Sequence, residues 1–360
     1  MLFMKRLYMQ THKPISFLFR QTSDDFIVNE VPLEREGGKG SYLIIKVKKR
    51  NMTTNEMLGI LEDETQCYHI GYAGLKDKSA MTTQYLSFPL KYSRSLEKFR
   101  HPQIQIIDSF RYNEKINMGD LKGNHFFIRL HKVSRSAASE LERVLSEIQR
   151  YGMPNYFGYQ RFGKESADIE KTREIAHGEL DMADRRLKRL LSHAYQSYLF
   201  NDWLVSRVTF SRRLPTMKND EIKSEFGVSD AEAEQLLNQP GMFKAVPGDI
   251  MLDHKMKKWV NVTDLQAIRK PFKERKLTPT GLLSGKKAWR AKAMAAQFEA
   301  PYDDPEVVAS AGDRRVAWIY PIEIRSKYVA KEGDFELSFM LPKGAYATVL
   351  LENLANRELG

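Results

Sequence analysis

Strand-patterned sequence stands at both ends of this chain, and a long helical stretch separates them. Near the C-terminus, DFELSFMLPKGAYATVLLENL places Phe335, Leu337 and Phe339 on one face of a strand. It then turns at Pro342–Gly344 and continues as a helix. In the first third, Asp25–Leu33 and Ser41–Lys48 have the β-branched and aromatic content of strands, with the Gly37–Gly40 cluster as a hairpin turn between them. His125–Val133 alternates in the same way. Two helices lie among these strands. Thr53-Thr54-Asn55-Glu56 forms a capping box ahead of Met57, Leu58, Ile60 and Leu61, and Leu141, Val144, Leu145 and Ile148 keep helical spacing until Gly152 and Pro154 stop it. The middle differs. About Asp184 to Arg207, a stripe of Leu187, Leu190, Leu191, Ala194 and Tyr198 predicts a long packed helix. A second capping box at Ser229–Glu232 and short strands in GMFKAVPGDIMLD and KKWVNVTD follow. The expected organisation is one α+β sheet domain assembled from both ends and interrupted by an inserted domain.

A length of 360 residues allows two cores. No run of about 18 apolar residues occurs, which excludes a transmembrane helix, and the basic start MLFMKRLYMQTHK lacks a signal-peptide core. A cytoplasmic protein is expected. The lone Cys67, in a TQCYHI segment that looks like a half-buried strand, cannot form an internal disulfide, and no CxxC, Cys/His cluster or HExxH is present, so no metal site is expected. Lysine and arginine exceed the acids by 11, spread along the whole chain and interleaved with aromatics. A folded basic face of this kind suits structured nucleic acid better than it suits a membrane anchor.

Three motifs bear on chemistry. GLLSGKKA, from Gly281, has the wrong glycine spacing for a phosphate-binding loop, and Lys287 stands where a magnesium-binding hydroxyl belongs. PNYFGYQRFG, from Pro154, combines aromatic rings able to stack on bases, amides able to pair with a base edge, and Arg161 for phosphate. The same composition also suits a loop that plugs a domain junction. GYAGLKDKSAMTTQ, from Gly71, sets Asp77 between Lys76 and Lys78. A carboxylate near a cation stays ionised and can act as a covalent nucleophile. A solvated loop acid is the simpler reading of the spacing alone. Neighbouring side chains on an extended segment point to opposite faces, so a charge partner from elsewhere is as suitable as either lysine.

Taken together, GYAGLKDKSAMTTQ, KGNHFFIRL, PNYFGYQRFG, SHAYQSYLFN, LTPTGLLSG and LPKGAYATVLLENL occur in the order found in the TruD family of pseudouridine synthases, and the resemblance covers nearly the whole chain. It implies the α+β pseudouridine synthase fold, a largely antiparallel sheet flanked by helices. The catalytic domain would be discontinuous, residues 1–179 and 314–360, with an inserted α/β TRUD domain at 180–313. It further implies an RNA-modifying enzyme that converts uridine to pseudouridine, usually uridine 13 in the D-arm of tRNA, without a cofactor. Asp77 matches the family's catalytic aspartate. Arg20, six residues before Phe26, matches the basic residue that pairs with it, often lysine in bacterial members. Phe157 matches the aromatic that stacks on the target base, Asn155 the amide beside it, and Phe26 and Gln84 two pocket positions.

Lys76, Lys78, Arg161 and the segment with Lys286, Lys287, Trp289, Arg290 and Lys292 are candidate RNA contacts. For that segment a solvated helix face is the competing reading. A monomer is expected, the inserted domain supplying the second wall of an RNA cleft. The reading from another class is a basic tRNA-binding protein or chaperone without catalysis.

Overall fold

The strand-patterned segments from the two ends meet in one sheet. In the computed structural model, which describes residues 6–8, 11–34, 38–163, 168–308 and 310–359, the strands of the first third are β1 (Leu18–Phe19), β2 (Phe26–Pro32), β3 (Tyr42–Lys49), β4 (Gly71–Tyr72), β5 (Met81–Pro89), β6 (Ile104–Tyr112) and β7 (Leu121–His131). The C-terminal strands Ile322–Val329 and Asp334–Pro342 extend the sheet. Its order is Ile322–Val329, Asp334–Pro342, β7, β2, β5, β3, β6, with β1 on β7 and β4 on β5. All pairings are antiparallel except β2 with β5. The expected hairpin between β2 and β3 is not formed, because β5 lies between them: Val28 stands beside Thr82, and Val47 beside Gln84. Gly37 of the glycine cluster lies outside the described residues.

The inward registers of β2 and β3 build the core of the sheet and carry one charged residue each into it. Ile45, Val47 and Lys49 alternate inward on β3, and Phe26, Val28 and Glu30 on β2. Helix α1 (Thr54–Thr65) begins at the predicted capping box, with Thr53 accepting from Glu56 N–H and the Glu56 carboxylate accepting from Thr53 N–H. Its Met57, Leu58 and Leu61 join Ile45, Val47, Leu86 and Phe88 in one apolar cluster, with Leu96 of α2 (Ser93–Lys98). Cys67 is fully buried in that cluster, but in irregular backbone rather than a strand. Rings form a column across the sheet: Phe26 stacks on Phe126 at 6.1 Å, and Phe126 on Phe339 at 5.3 Å. Helix α3 (Arg135–Tyr151) ends at Gly152, whose φ of +79° favours glycine.

The chain divides into two compact units. One holds Ile15–Gln149 and Pro321–Gly344. The other holds Met1–Pro14, Arg150–Tyr320 and Ala345–Gly360. Residues 1–14, 150–179, 314–320 and 345–360, grouped with the sheet on sequence grounds, belong to the second unit. That unit contains the helix Arg185–Arg213, capped by Asp184, and an antiparallel four-stranded sheet ordered Lys258–Asn261, Ile250–Asp253, Leu277–Leu283, Asp313–Val316. Leu191 and Ala194 of the expected helix stripe are buried, whereas Leu190 is exposed. Among the described residues no helix is long and apolar enough to cross a membrane.

The second unit is tied internally by Arg207. Its guanidinium meets Asp249 at 2.6 and 2.9 Å and the Lys244 carbonyl at 2.9 Å, with the rings of Phe243 and Phe298 each 5.1 Å away. Both charged groups are almost wholly buried. Removing one partner leaves an uncompensated charge in a low-dielectric interior. Asp249→Ala is therefore expected to lower unfolding stability by about 3–5 kcal/mol in urea titration. A loss within the range of a surface pair, about 0–1 kcal/mol, would contradict this role.

Candidate active site

Two clusters of the sequence-selected residues form, one in each unit. In the sheet unit, the backbone leaves β4, turns through Ala73–Ala80 and returns as β5. Gly71 permits the approach, since a Cβ there would lie 2.3 Å from Ser87 Oγ and 2.4 Å from the Ile116 carbonyl. At the outer edge of the loop Asp77 and Lys78 are exposed, while Lys76 is buried.

The loop backbone is bonded to buried side chains on several sides. Lys76 N–H donates to Thr54 Oγ1 at 2.8 Å, and that hydroxyl donates to Gln84 Oε1 at 3.0 Å. Lys49 Nζ donates to the carbonyls of Met52 at 2.6 Å, Asp77 at 3.0 Å and Lys76 at 3.5 Å. The Lys76 ammonium turns inward to Glu30 at 2.9 Å and Asn124 Oδ1 at 2.9 Å, and the other Glu30 oxygen accepts from Tyr85 N–H. Gln84 and Glu30 are themselves fixed on β5 and β2, so the loop is referenced to the middle of the sheet.

Burial pulls the Lys49 pKa down to about 8. The Asp77 charge opposes that shift, Lys76 adds to it, and Glu56 opposes it. Lys78 pairs with Glu56 at 2.9 Å in solvent. Glu56 is held at about 2, first by the Thr53 N–H and then by Lys78.

This arrangement changes several expectations. Lys76 was a candidate RNA contact; its side chain is buried and neutralised by Glu30, so it is a structural tie. The Arg20–Asp77 ion pair is not formed among the described residues: Arg20 is exposed just past β1, and the cation that reaches the loop is Lys49. Phe26, a candidate pocket position, gives its ring to the aromatic column and to Phe19, edge-on at 5.8 Å. Gln84 lies under the loop, fully buried.

The second cluster is the Asn155–Arg161 loop. Asn155 is buried, its amide donating to the Val316 carbonyl at 2.8 Å and accepting from Arg315 at 3.0 Å. The Phe157 backbone is gripped by Asn201, which accepts from its N–H at 2.8 Å and donates to its carbonyl at 3.1 Å. Arg6 also donates to that carbonyl, and pairs with Glu352. The Phe157 ring sits edge-on to Phe200 at 5.5 Å, under the Arg315 guanidinium at 3.9 Å, with that of Arg161 at 5.6 Å. Burial draws Arg315 down to about 10, which leaves it protonated at neutral pH. Such a cation polarises and immobilises the ring beneath it.

In the basic segment, Lys286, Lys287 and Lys292 are exposed and Trp289 is 45% exposed. Arg290 instead pairs with Asp303 at 2.6 Å, and the segment is turn-rich backbone rather than a helix. The residues to which the sequence assigned no part in a site are Lys49, Thr54, Glu30 and Asn124 in one cluster, and Arg315 and Asn201 in the other. For Lys49 and Glu30 a signal existed: each occupies an inward slot of an alternating strand.

The exposed Asp77 carboxylate, on a loop bonded to buried side chains in the sheet unit, is a group able to act as a nucleophile or a general base. The family profile described as tRNA pseudouridine synthase D (TruD) matches residues 3–183 and 169–354. The tRNA pseudouridine synthase D of Wolinella succinogenes is 44% identical over 359 residues, with 99% of each chain covered. That of Nitratiruptor sp. is 43% identical, again with 99% of each covered. The solved structure of a protein assigned to TruD from Methanosarcina mazei shares the fold, with a TM-score of 0.68 at 23% identity over 98% of this chain and 96% of that one. The chain belongs to the tRNA pseudouridine synthase D (TruD) family.

Thr54 is the hinge between α1, β5 and the loop. Thr54→Val keeps its volume but leaves the Lys76 N–H and Gln84 Oε1 unpaired in a buried place. Each orphaned group costs about 1–3 kcal/mol. The variant is expected to lose at least that much stability by chemical denaturation, and an unchanged midpoint would show that the hydroxyl ties nothing.

Proposed function

We propose that this chain isomerises uridine to pseudouridine in tRNA, at uridine 13 of the D-arm, with Asp77 as the nucleophile. The observation that carries the reading is the Asp77 carboxylate, exposed on a loop whose backbone is bonded to buried side chains, in a chain that belongs end to end to a pseudouridine synthase family.

The chemistry suits a single carboxylate. The N1–C1′ bond breaks, the C5–C1′ bond forms, C5 loses its proton and N1 gains one. Nothing is oxidised or reduced, and no group enters or leaves, so the reaction calls for no cofactor. Attack at C1′, attack at C6 and abstraction of the C2′ proton are the three routes by which one carboxylate can bring about cleavage of the N1–C1′ bond and free the uracil. The target base has to leave its stack, which costs a few kcal/mol. Stacking on an aromatic ring, about 1–3 kcal/mol per base, and phosphate contacts offset that cost. Phe157, buried with the Arg315 guanidinium 3.9 Å over its ring, is the proposed ring. Exposed Lys286, Lys287 and Trp289 are the proposed tRNA grip, with Arg161 beside Phe157. We place the protein in the cytoplasm as a monomer.

The test is tritium release from [5-³H]uridine-labelled tRNA. Wild-type protein is expected to release tritium. Asp77→Asn is expected to abolish release while tRNA affinity, and its fall with salt, stay as in wild type. A tRNA carrying cytidine at position 13 should release none. Binding without release by the wild type would leave a non-catalytic tRNA-binding protein; full release by Asp77→Asn would remove Asp77 from the chemistry.

Phe157→Leu keeps an apolar side chain in a crowded place. It is expected to slow single-turnover release by tenfold or more, about the value of one lost stack, with tRNA affinity changed far less. An unchanged rate constant would take Phe157 out of the site.

A further inference from the structure

Buried lysine is rare, and Lys49 is wholly buried with no carboxylate bonded to it among the described residues. We infer that Lys49 is the positioning residue of the Asp77 loop: its ammonium clamps the loop's carbonyls and holds a positive charge under the Asp77 carboxylate, so that the nucleophile is already in place when uridine arrives. This rests on Asp77 being the nucleophile.

The geometry accounts for the choice of lysine. An ammonium has three hydrogens and no lone pair. Three carbonyls converge on it, those of Met52, Asp77 and Lys76. The first closes the turn between β3 and α1, and the other two belong to the loop, so one atom joins β3, α1 and the nucleophile's own peptide. A neutral amine offers two hydrogens and turns a lone pair toward one of these oxygens. The clamp therefore exists in full only while Lys49 is protonated. Arginine would stay charged at every working pH, but its planar fork does not fit three oxygens around a point.

The surroundings make that protonation conditional. The charged groups facing Lys49 are Asp77 and Lys76 from the loop and Glu56 from α1. On β5 its neighbour is the uncharged Thr82, and on β6 it is Ile104. Burial disfavours the charge, Asp77 and Glu56 favour it, and the balance lies at about 8. Lys49 is thus charged at neutral pH and loses its proton just above it.

The experiment combines loop dynamics, kinetics and a pH profile on the full-length chain. In Lys49→Met, hydrogen exchange of the Lys76–Ala80 amides is expected to quicken. The single-turnover rate should fall by about 100-fold, the effect of a nucleophile misplaced by about 1 Å, with tRNA affinity nearly unchanged. The wild-type rate is expected to decline with a midpoint of about 8, the decline being absent from Lys49→Met and displaced upward in Lys49→Arg. Wild-type turnover by Lys49→Met would overturn the inference, as would a wild-type rate that is flat through the alkaline range, or the same decline persisting in Lys49→Met. Should Lys49→Met fail to fold, the wild-type profile and Lys49→Arg decide the matter. A wild-type protein that releases no tritium, with Lys49→Met still loosening the loop, would sustain the clamp and defeat the enzymatic reading instead.

Discussion

Charge buried beneath the Asp77 loop is the constraint on which the sheet unit is organised. An ammonium leaving water for an apolar interface loses several kcal/mol of solvation, and only close partners recover it. Lys76 recovers it from Glu30 and Asn124, and Lys49 from three carbonyls. Neither lysine can be satisfied unless the loop passes where it does. Packing fixes only the loop's ends, where Ala73 and Ala80 are buried; between them Leu75 is 55% exposed, and apolar contact does not set the path. The polar network does, and such a network specifies one conformation because a partly satisfied version of it is so unfavourable. For the nucleophile proposed at Asp77 this is an advantage: the carboxylate would need no rearrangement at the moment of reaction, and its own side chain can remain in solvent.

The other unit solves a similar problem with arginine and aromatic rings. Arg207 lies among Trp203, Phe243 and Phe298 while pairing with Asp249, and Arg315 lies over Phe157 while bonded to Asn155. A guanidinium is weakly hydrated and planar, so it can stack on rings and donate in its plane at once. Lysine could do only the second. The rings gain fixed positions from this, since their neighbours are held by hydrogen bonds as well as by contact. An aromatic residue proposed to receive a base benefits from a backing that is polar and rigid rather than merely apolar.

The elements were legible in the sequence; their neighbours were less so. Both capping boxes form, α3 stops at Gly152, and the alternating strands at the two ends share a sheet, because these patterns are local. The hairpin proposed for β2 and β3 is absent because strand pairing is not local. A parallel neighbour, β5, arrives from beyond α1 and outcompetes the shorter connection. The same holds for the site. Asp77, Phe157 and Asn155 were visible through motif resemblance, but the partners that hold them were not, since Lys49, Glu30 and Arg315 are far away in the chain. Lys49 and Glu30 nevertheless stand in inward registers, where solvated lysine and glutamate do not belong. A charged residue at an inward strand position is a signal of an unseen partner, and here it points to the same loop from two strands.

Burial also refines what the basic composition means. The excess of 11 positive charges, taken over the whole chain, does not say where those charges are. Lys76, Arg207, Arg314 and Arg6 are buried, and each is matched by a buried carboxylate, of Glu30, Asp249, Glu299 and Glu352. Four cations and four anions cancel, and among the other buried charged residues described Lys49 and Lys244 outnumber Asp25 by one, so burial hides little of the excess. Most of it is therefore displayed on the surface, where counterion release gives a polyanion its affinity. Lys286 and Lys287 are part of that display, and Arg290, held by Asp303, contributes little to it. A chain with the same composition but its acids outside and its lysines buried without carboxylates would have the same formal charge and a far weaker pull on RNA.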